Sequence, residues 1–437
     1  MIKRLLIIGG ITGIGHVVTL LSLKFISKFV EEPTLAYIGE LDSLSLLIIS
    51  VVAFGLQLSA TRNIATAENW ENELNKTQCA RITLALILMV LGATGYYSTK
   101  NYLFLIAPVI ALNADYALYG IGKPIAGAFI ALMRVMIPSL SLVVASIFFE
   151  KQIIEIFVVS LIATYLMAGI LVSKYLKVSY FVRPSVKSLN MYISNFNIGI
   201  ASFSMFFIGI GLINVLSYFN DNRIIAVAYI ALKFYMVFKG VRRIIVQAFF
   251  KELKDESVAL KVDSFAMIAG VVFLNTLVFY PKVIIPLLFD QKYTVYTYTF
   301  VILGLAGFIS SFTTSSGTRL LLKKKDNDYS RNLIVAAGIT ISSGILFSFF
   351  NEQQPFYISL AILIGEISLS LLNIRSLNER LFVLERTKFM PPLILMTILF
   401  FGSTYIFGQE LYSYIISLIL VSFIALIFLR IKFNKML

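Results

Sequence analysis

Apolar residues run in blocks of about 20 along the whole chain, each long enough to cross roughly 30 Å of hydrocarbon as a helix. Short polar stretches separate them, and a helix is the form in which a single apolar segment satisfies its own backbone inside a bilayer. The pattern predicts fourteen helices, at residues 5–29, 41–61, 82–98, 102–121, 126–149, 152–175, 193–218, 224–249, 264–287, 295–321, 332–350, 356–374, 389–408 and 411–429. The expected fold class is therefore all-α, a polytopic integral membrane protein. Lys3 and Arg4 precede the first block as they would a signal peptide, but its length and the lack of a small-x-small cleavage site favour a retained span. The longest interruption, 177–192, contains Arg183-Pro184 and follows six helices; a second basic stretch, Arg375 to Lys388, follows six more. The expected organisation is an N-terminal six-helix lobe (1–176), a cytoplasmic linker (177–192), a C-terminal six-helix lobe (193–378) and an additional helix pair (379–437).

Composition agrees with a bilayer environment: 59% of the 437 residues are hydrophobic and 14% are charged. The net charge of +14 would suit a nucleic-acid binder, but the basic residues are dispersed among the loops and form no basic domain. Their distribution instead carries topology. Of the 37 lysines and arginines, 28 fall on one alternate set of loops and tails and seven on the other, with Arg134 and Lys233 inside spans. The positive-inside rule then places both termini in the cytoplasm. The single cysteine, Cys79, excludes an intrachain disulfide and a cysteine-built metal site, and one histidine speaks equally against a histidine metal centre. No cofactor is expected. No Gly-Lys-Ser/Thr phosphate loop stands in the chain, so ATP hydrolysis is not expected of it.

Three stretches carry more than hydropathy. In Phe54-Gly55-Leu56-Gln57-Leu58-Ser59-Ala60-Thr61-Arg62, a long apolar helix runs into a polar loop and leaves an arginine at its end. Asp290-Gln291-Lys292-Tyr293 precedes a helix with the leucine-rich exit Arg319-Leu320-Leu321-Leu322-Lys323, and Gln247-Ala248-Phe249-Phe250-Lys251 ends the eighth helix. These stretches resemble polysaccharide flippases of the multidrug/oligosaccharidyl-lipid/polysaccharide exporter superfamily, with the Wzx type as the nearest subgroup. The eighth helix departs from that pattern by lacking the usual proline. The resemblance implies two six-helix lobes that transport by alternating access, with no catalytic residue. It implies a bacterial inner (cytoplasmic) membrane, and as cargo an undecaprenyl-pyrophosphate-linked oligosaccharide, an O-antigen or capsular repeat unit. Membrane lipids, a polysaccharide polymerase and a chain-length regulator are the partners it implies; nucleic acid is not one.

An ionisable side chain at mid-span costs about 2.5–3.5 kcal/mol on insertion scales, so such residues are the candidates for function. Arg134 lies in the fifth helix near Pro138; it lines the pathway or pairs with Asp115. In the eighth helix Tyr229, Lys233, Met236, Gly240, Arg243 and Gln247 share a face by their spacing, which holds two cations and no carboxylate. Together with Arg62, Arg242 and His16, which shares a face with Thr12 and Thr19, these residues would form a cationic cavity between the lobes suited to a pyrophosphate. Alternatively, Lys233 snorkels and Arg62, Arg242 and Arg243 meet lipid headgroups. Asp115 and Glu366 are the carboxylates placed to couple transport to an ion, or else to form internal ion pairs. The dense run Ser310, Ser311, Thr313, Thr314, Ser315 and Ser316 is expected to bond mainly to its own helix.

Two rivals are distinguishable in the sequence. A cation-coupled multidrug exporter of the same superfamily would carry acidic groups in its cavity, whereas the surplus here is basic. A membrane polymerase or glycosyltransferase would show a large external loop or an acidic metal motif. Asp326-Asn327-Asp328 lies instead in a lysine-rich loop.

Overall fold

A computed structural model describes residues 2–179, 182–249, 252–350, 354–378, 386 and 388–433. Among these residues every regular element is helical. Twelve helices among the described residues are long and apolar enough to cross a membrane, or thirteen if a pair bent by 74°, Phe196–Phe207 with Ile210–Leu216, is one span. The chain divides into two compact units, Met1–Phe206 and Phe207–Leu437.

The first unit contains α1 (Ile2–Phe29), α2 (Glu32–Ala53), α3 (Leu56–Thr66), α4 (Trp70–Thr99), α5 (Ala107–Leu112), α6 (Asp115–Gly120), α7 (Pro124–Phe148) and α8 (Ile153–Leu176). The short α9 (Asn190–Ser194) and then α10 (Phe196–Phe207) follow. Two predicted spans are broken here. The helix expected over 41–61 stops at Ala53 and restarts at Leu56, because Phe54 and Gly55 take positive φ of 27° and 75°. Glycine carries such a conformation without strain, and Gly55 also lies against the backbone of Gly199, where a Cβ would come within 2.6 Å of a main-chain nitrogen. The carbonyl of Val52 freed by the break accepts the Tyr192 hydroxyl at 2.7 Å. The span expected over 102–121 is likewise three pieces: a 3-10 turn at Tyr102–Leu105, then α5 and α6.

The segment after α8 packs back onto α4. The Ser185 amide donates to Thr83 Oγ1 at 2.9 Å, Cys79 Sγ donates to the Arg183 carbonyl at 3.2 Å, and Leu56, Ala80 and Tyr192 bury one another.

The second unit contains α11 (Ile213–Leu216), α12 (Asn222–Ala248), α13 (Glu256–Phe279), α14 (Pro281–Leu288), α15 (Thr297–Ser311), α16 (Ser316–Leu322), α17 (Asp326–Ser348) and α18 (Phe356–Leu377). The pair α19 (Met390–Phe407) and α20 (Leu411–Phe433) completes it. Pro281 cannot donate the amide that would continue α13, so the span predicted over 264–287 bends there into α14. The final pair joins this unit's core: Phe389, Leu393, Met396 and Phe400 pack with Met267, Val271 and Ile284, and the buried Tyr280 hydroxyl bonds Ser413 and Ser417 at 2.8 and 2.9 Å.

Candidate functional site

Breaks in helices release carbonyls and amides that water cannot satisfy inside a bilayer. In each unit buried charged side chains meet that demand. Between α5 and α6, Arg81 of α4 donates to the Asn113 carbonyl at 2.6 Å and reaches Ile110 O at 3.4 Å, while Gln78 Nε2 donates to Ala111 O at 3.1 Å. The Arg81 guanidinium sits 5.1 Å from the centre of the Tyr116 ring, whose hydroxyl donates to Gln78 Oε1 at 3.0 Å. No carboxylate pairs with Arg81 among the described residues. Sequence reasoning assigned Arg81 to a loop because the apolar block begins at Ile82; α4 in fact starts at Trp70, so Arg81 lies three turns inside it.

On the far side of the same break, Asp115 opens α6 and accepts a close hydrogen bond from Arg134 Nη2 of α7. Arg134 also faces the Tyr165 ring of α8 at 5.8 Å, and its Nε is buried with no partner among the described residues. The pairing alternative for Arg134 is thus what the structure shows, and its 19% side-chain exposure leaves one edge of the guanidinium open.

In the second unit α12 supplies a different set from the one its spacing suggested. Lys239 Nζ pairs with Glu366 Oε1 of α18 at 2.7 Å, donates to Ile208 O at the bend after α10 at 2.6 Å, and lies 5.0 Å from the Tyr235 ring centre. The Tyr235 hydroxyl donates to the same Glu366 oxygen at 2.9 Å. One turn on, Arg242 grips α15, with Nε to Thr314 Oγ1 at 3.0 Å, Nη1 closely to Ser310 Oγ and Nη2 to Ser310 O at 2.7 Å. Glu366 is therefore the centre of an internal ion pair, the second alternative drawn for it. Positive-inside counting absorbed Lys239 as a loop residue and so concealed it, whereas Arg242 was among the expected cavity residues without its α15 partners.

The remaining sequence candidates do not join either cluster. Arg62 lies exposed on α3 and Arg243 exposed on α12. Lys233 is half-buried with its ammonium 5.7 Å from the ring of the buried Tyr229. His16 is half-buried on α1, its Nε2 lacks a partner among the described residues, and Thr12 and Thr19 on its face bond back to Ile8 O and Gly15 O. The Gln247 side chain lies outside the described residues.

A third cluster escaped the sequence entirely. Asp263 of α13 pairs with Arg386 at 2.5 Å and accepts the Ser315 amide and hydroxyl at 2.7 and 2.9 Å, in the turn between α15 and α16. In the hydroxyl run expected to bond mainly to its own helix, Ser310, Ser311 and Thr314 do donate back to carbonyls three or four residues earlier, but the helix breaks there and Ser310, Thr313, Thr314 and Ser315 also reach other elements. Among the described residues no group of three or more His, Cys, Asp or Glu side chains could hold a metal ion.

No protein-family profile matches the chain, and no curated protein is similar to it in sequence. Solved structures do share its fold. "Lipid II flippase MurJ, inward closed conformation" aligns over 98% of this chain and 99% of its own, with a TM-score of 0.75 and 15% identity. A multidrug/oligosaccharidyl-lipid/polysaccharide superfamily transporter from Pyrococcus furiosus aligns over 87% and 94%, at 0.52 and 14%. An outward-facing multidrug resistance transporter of the MATE family aligns over 88% and 95%, at 0.51 and 13%. This chain has the fold of that superfamily.

Proposed function

We propose that this protein is a flippase for an undecaprenyl-pyrophosphate-linked oligosaccharide, moving an O-antigen or capsular repeat unit of the Wzx type to the outer leaflet of a bacterial inner membrane by alternating access. The observation that supports a lipid-linked cargo is the likeness over 98% of the chain to a protein described as a lipid II flippase, against 87–88% for the other two transporters, while the repeat unit as that cargo rests on the sequence resemblance. Intramembrane charge supports it. Arg81 bonds main-chain carbonyls and has no carboxylate partner among the described residues, and Arg134 keeps an open edge beside its pairing with Asp115, an arrangement that suits an anionic cargo. Guanidinium donors left open beside a neutralised pair can take up a pyrophosphate oxygen without a full new desolvation cost. Arg134, Lys233, Arg62, Arg242, Arg243, His16, Tyr229 and Gln247 stand as pathway residues in this reading, and Asp115 and Glu366 as coupling groups.

A second reading, flipping of a peptidoglycan precursor, is favoured by the same likeness and shares the pyrophosphate chemistry. Purified protein in proteoliposomes, offered fluorescent lipid-pyrophosphate oligosaccharides of both kinds, tests both. Transport of the repeat-unit lipid, reduced at least tenfold by Arg134→Gln with Lys233→Gln, is the expected result. Transport of the peptidoglycan precursor alone selects the second reading. Movement of a small cationic dye with neither lipid would make the protein a multidrug exporter.

A further inference from the structure

The turn at 312–315 separates α15 from α16, and a gap lies beside it against α18. The gap is a crevice of about 190 Å³. Ile309 and Phe312 form one wall and Ile367, Leu371 and Ile374 the other. Its floor is closed by the Thr313–Ser370 hydroxyl pair, at 2.9 Å, and by Arg386, which Asp263 neutralises. The hydroxyl pair and Arg386 Nη2 are engaged there, the guanidinium is buried, and the accessible lining is apolar. Apolar cavities of about 150 Å³ stay dry and take up hydrocarbon.

The face of α15 that borders the crevice is distinct from the one gripped by Arg242 through Ser310 and Thr314. The crevice opens beside Leu371, 62% exposed on a span, where the surroundings are acyl chains. Ile367, Leu371 and Arg375 follow at i, i+4 and i+8 and so lie along one ridge of α18. Arg375 is exposed one turn beyond the crevice, at the helix end where Lys325 Nζ donates to the Ser376 carbonyl at 2.8 Å. An apolar slot with a guanidinium and an ammonium at its basic end has the two-part chemistry of a phospholipid: an acyl chain, then a phosphate.

We propose that the crevice between α15 and α18 holds a segment of one acyl chain of a resident anionic phospholipid whose phosphodiester is bound by Arg375. This lipid stays with the second unit and is not cargo. The site is independent of the transport reading, since it uses none of the residues assigned there.

Native mass spectrometry of the full-length purified chain, titrated with phosphatidylglycerol or phosphatidylcholine of the same chains, tests it. One phosphatidylglycerol should bind at least about fivefold more tightly than phosphatidylcholine, as expected for one cation near a lipid phosphate of net negative charge. Arg375→Ala should erase that preference. Leu371→Trp, which fills the slot, should lower the binding of both lipids. Equal binding of the two lipids by the native chain, or an Arg375→Ala variant that keeps the preference, would overturn the site. Displacement of bound phosphatidylglycerol by undecaprenyl phosphate at equal concentration would also overturn it, because the slot would then belong to cargo. Arg375 is a surface position, so the Arg375→Ala arm holds even if Leu371→Trp folds poorly.

Discussion

At the scale of single residues, the intramembrane charges have structural work before they have any transport work. Arg81 and Lys239 both serve carbonyls released at helix breaks, and Asp115 and Glu366 both neutralise a cation on a neighbouring helix. Removing one partner of a buried pair strands the other, whereas removing both with apolar residues of similar size does not. Asp115→Leu alone should therefore destabilise the protein by about 3 kcal/mol, and Asp115→Leu with Arg134→Met by clearly less. Unfolding in mixed micelles measures both; a double variant no more stable than the single would show that the pair does not act as a unit. The Asp115–Arg134 pairing was open to sequence reasoning because both residues lie inside apolar blocks, where a charge is conspicuous. Lys239 was not, since loop counting explains it equally well, and Arg242, though a candidate by its charge, gave no sign of its partners Ser310 and Thr314. Arg386 and Asp263, distant in sequence and each beside other charges, gave no signal at all.

At the scale of elements, hydropathy located the membrane segments and missed their interruptions. A window of about 19 residues averages over a two-residue kink, so Phe54 and Gly55 vanished inside one predicted span although Gly55 itself was in view. What makes the kink is tertiary: Gly199 approaches, Phe54 packs near Tyr192 and Phe196 with ring centres 6.3 and 5.9 Å away, and Tyr192 binds Val52 O. Such contacts between residues some 140 positions apart leave no periodic trace. They do leave a testable intolerance. Gly55→Ala would need a Cβ 2.6 Å from the Gly199 nitrogen at a φ of 75°, and neither backbone can yield as a side chain would. Overpacking costs about 1–3 kcal/mol and the left-handed conformation about 1–2 more, so this variant should lose most of its folded yield. Gly338→Ala, with open space around its Cβ, should keep it. Fluorescence-detected size exclusion compares the two, and a monodisperse Gly55→Ala protein at native yield would contradict the tight approach.

At the scale of the whole molecule, topology depends on parity, and parity depends on whether the interrupted segments cross the bilayer. The fourteen-span reading requires both the segment broken into α5 and α6, which is not among the twelve helices long and apolar enough to cross, and the pair bent by 74° after α10 to pass from one membrane face to the other; the loops on either side keep their assignment on that condition. The lysine and arginine bias is a sum over every loop, and four inward-bonded cations, Arg81, Lys239, Arg242 and Arg386, can be removed from the rich set of 28 without approaching the seven of the other. On that count the positive-inside rule predicts the linker after α8 in the cytoplasm and the end of α4 outside. Cys79→Ser supplies a cysteine-free background, and its hydroxyl can keep the donation to the Arg183 carbonyl. In that background Ser98→Cys, exposed at the end of α4, should react with a membrane-impermeant maleimide in intact cells. Lys187→Cys, exposed in the linker, should react only in inside-out vesicles or after permeabilisation. The reverse pattern would invert the protein in the membrane and with it the direction of proposed transport, because the face where Arg375 and Lys325 would meet lipid phosphate would then be the outer one.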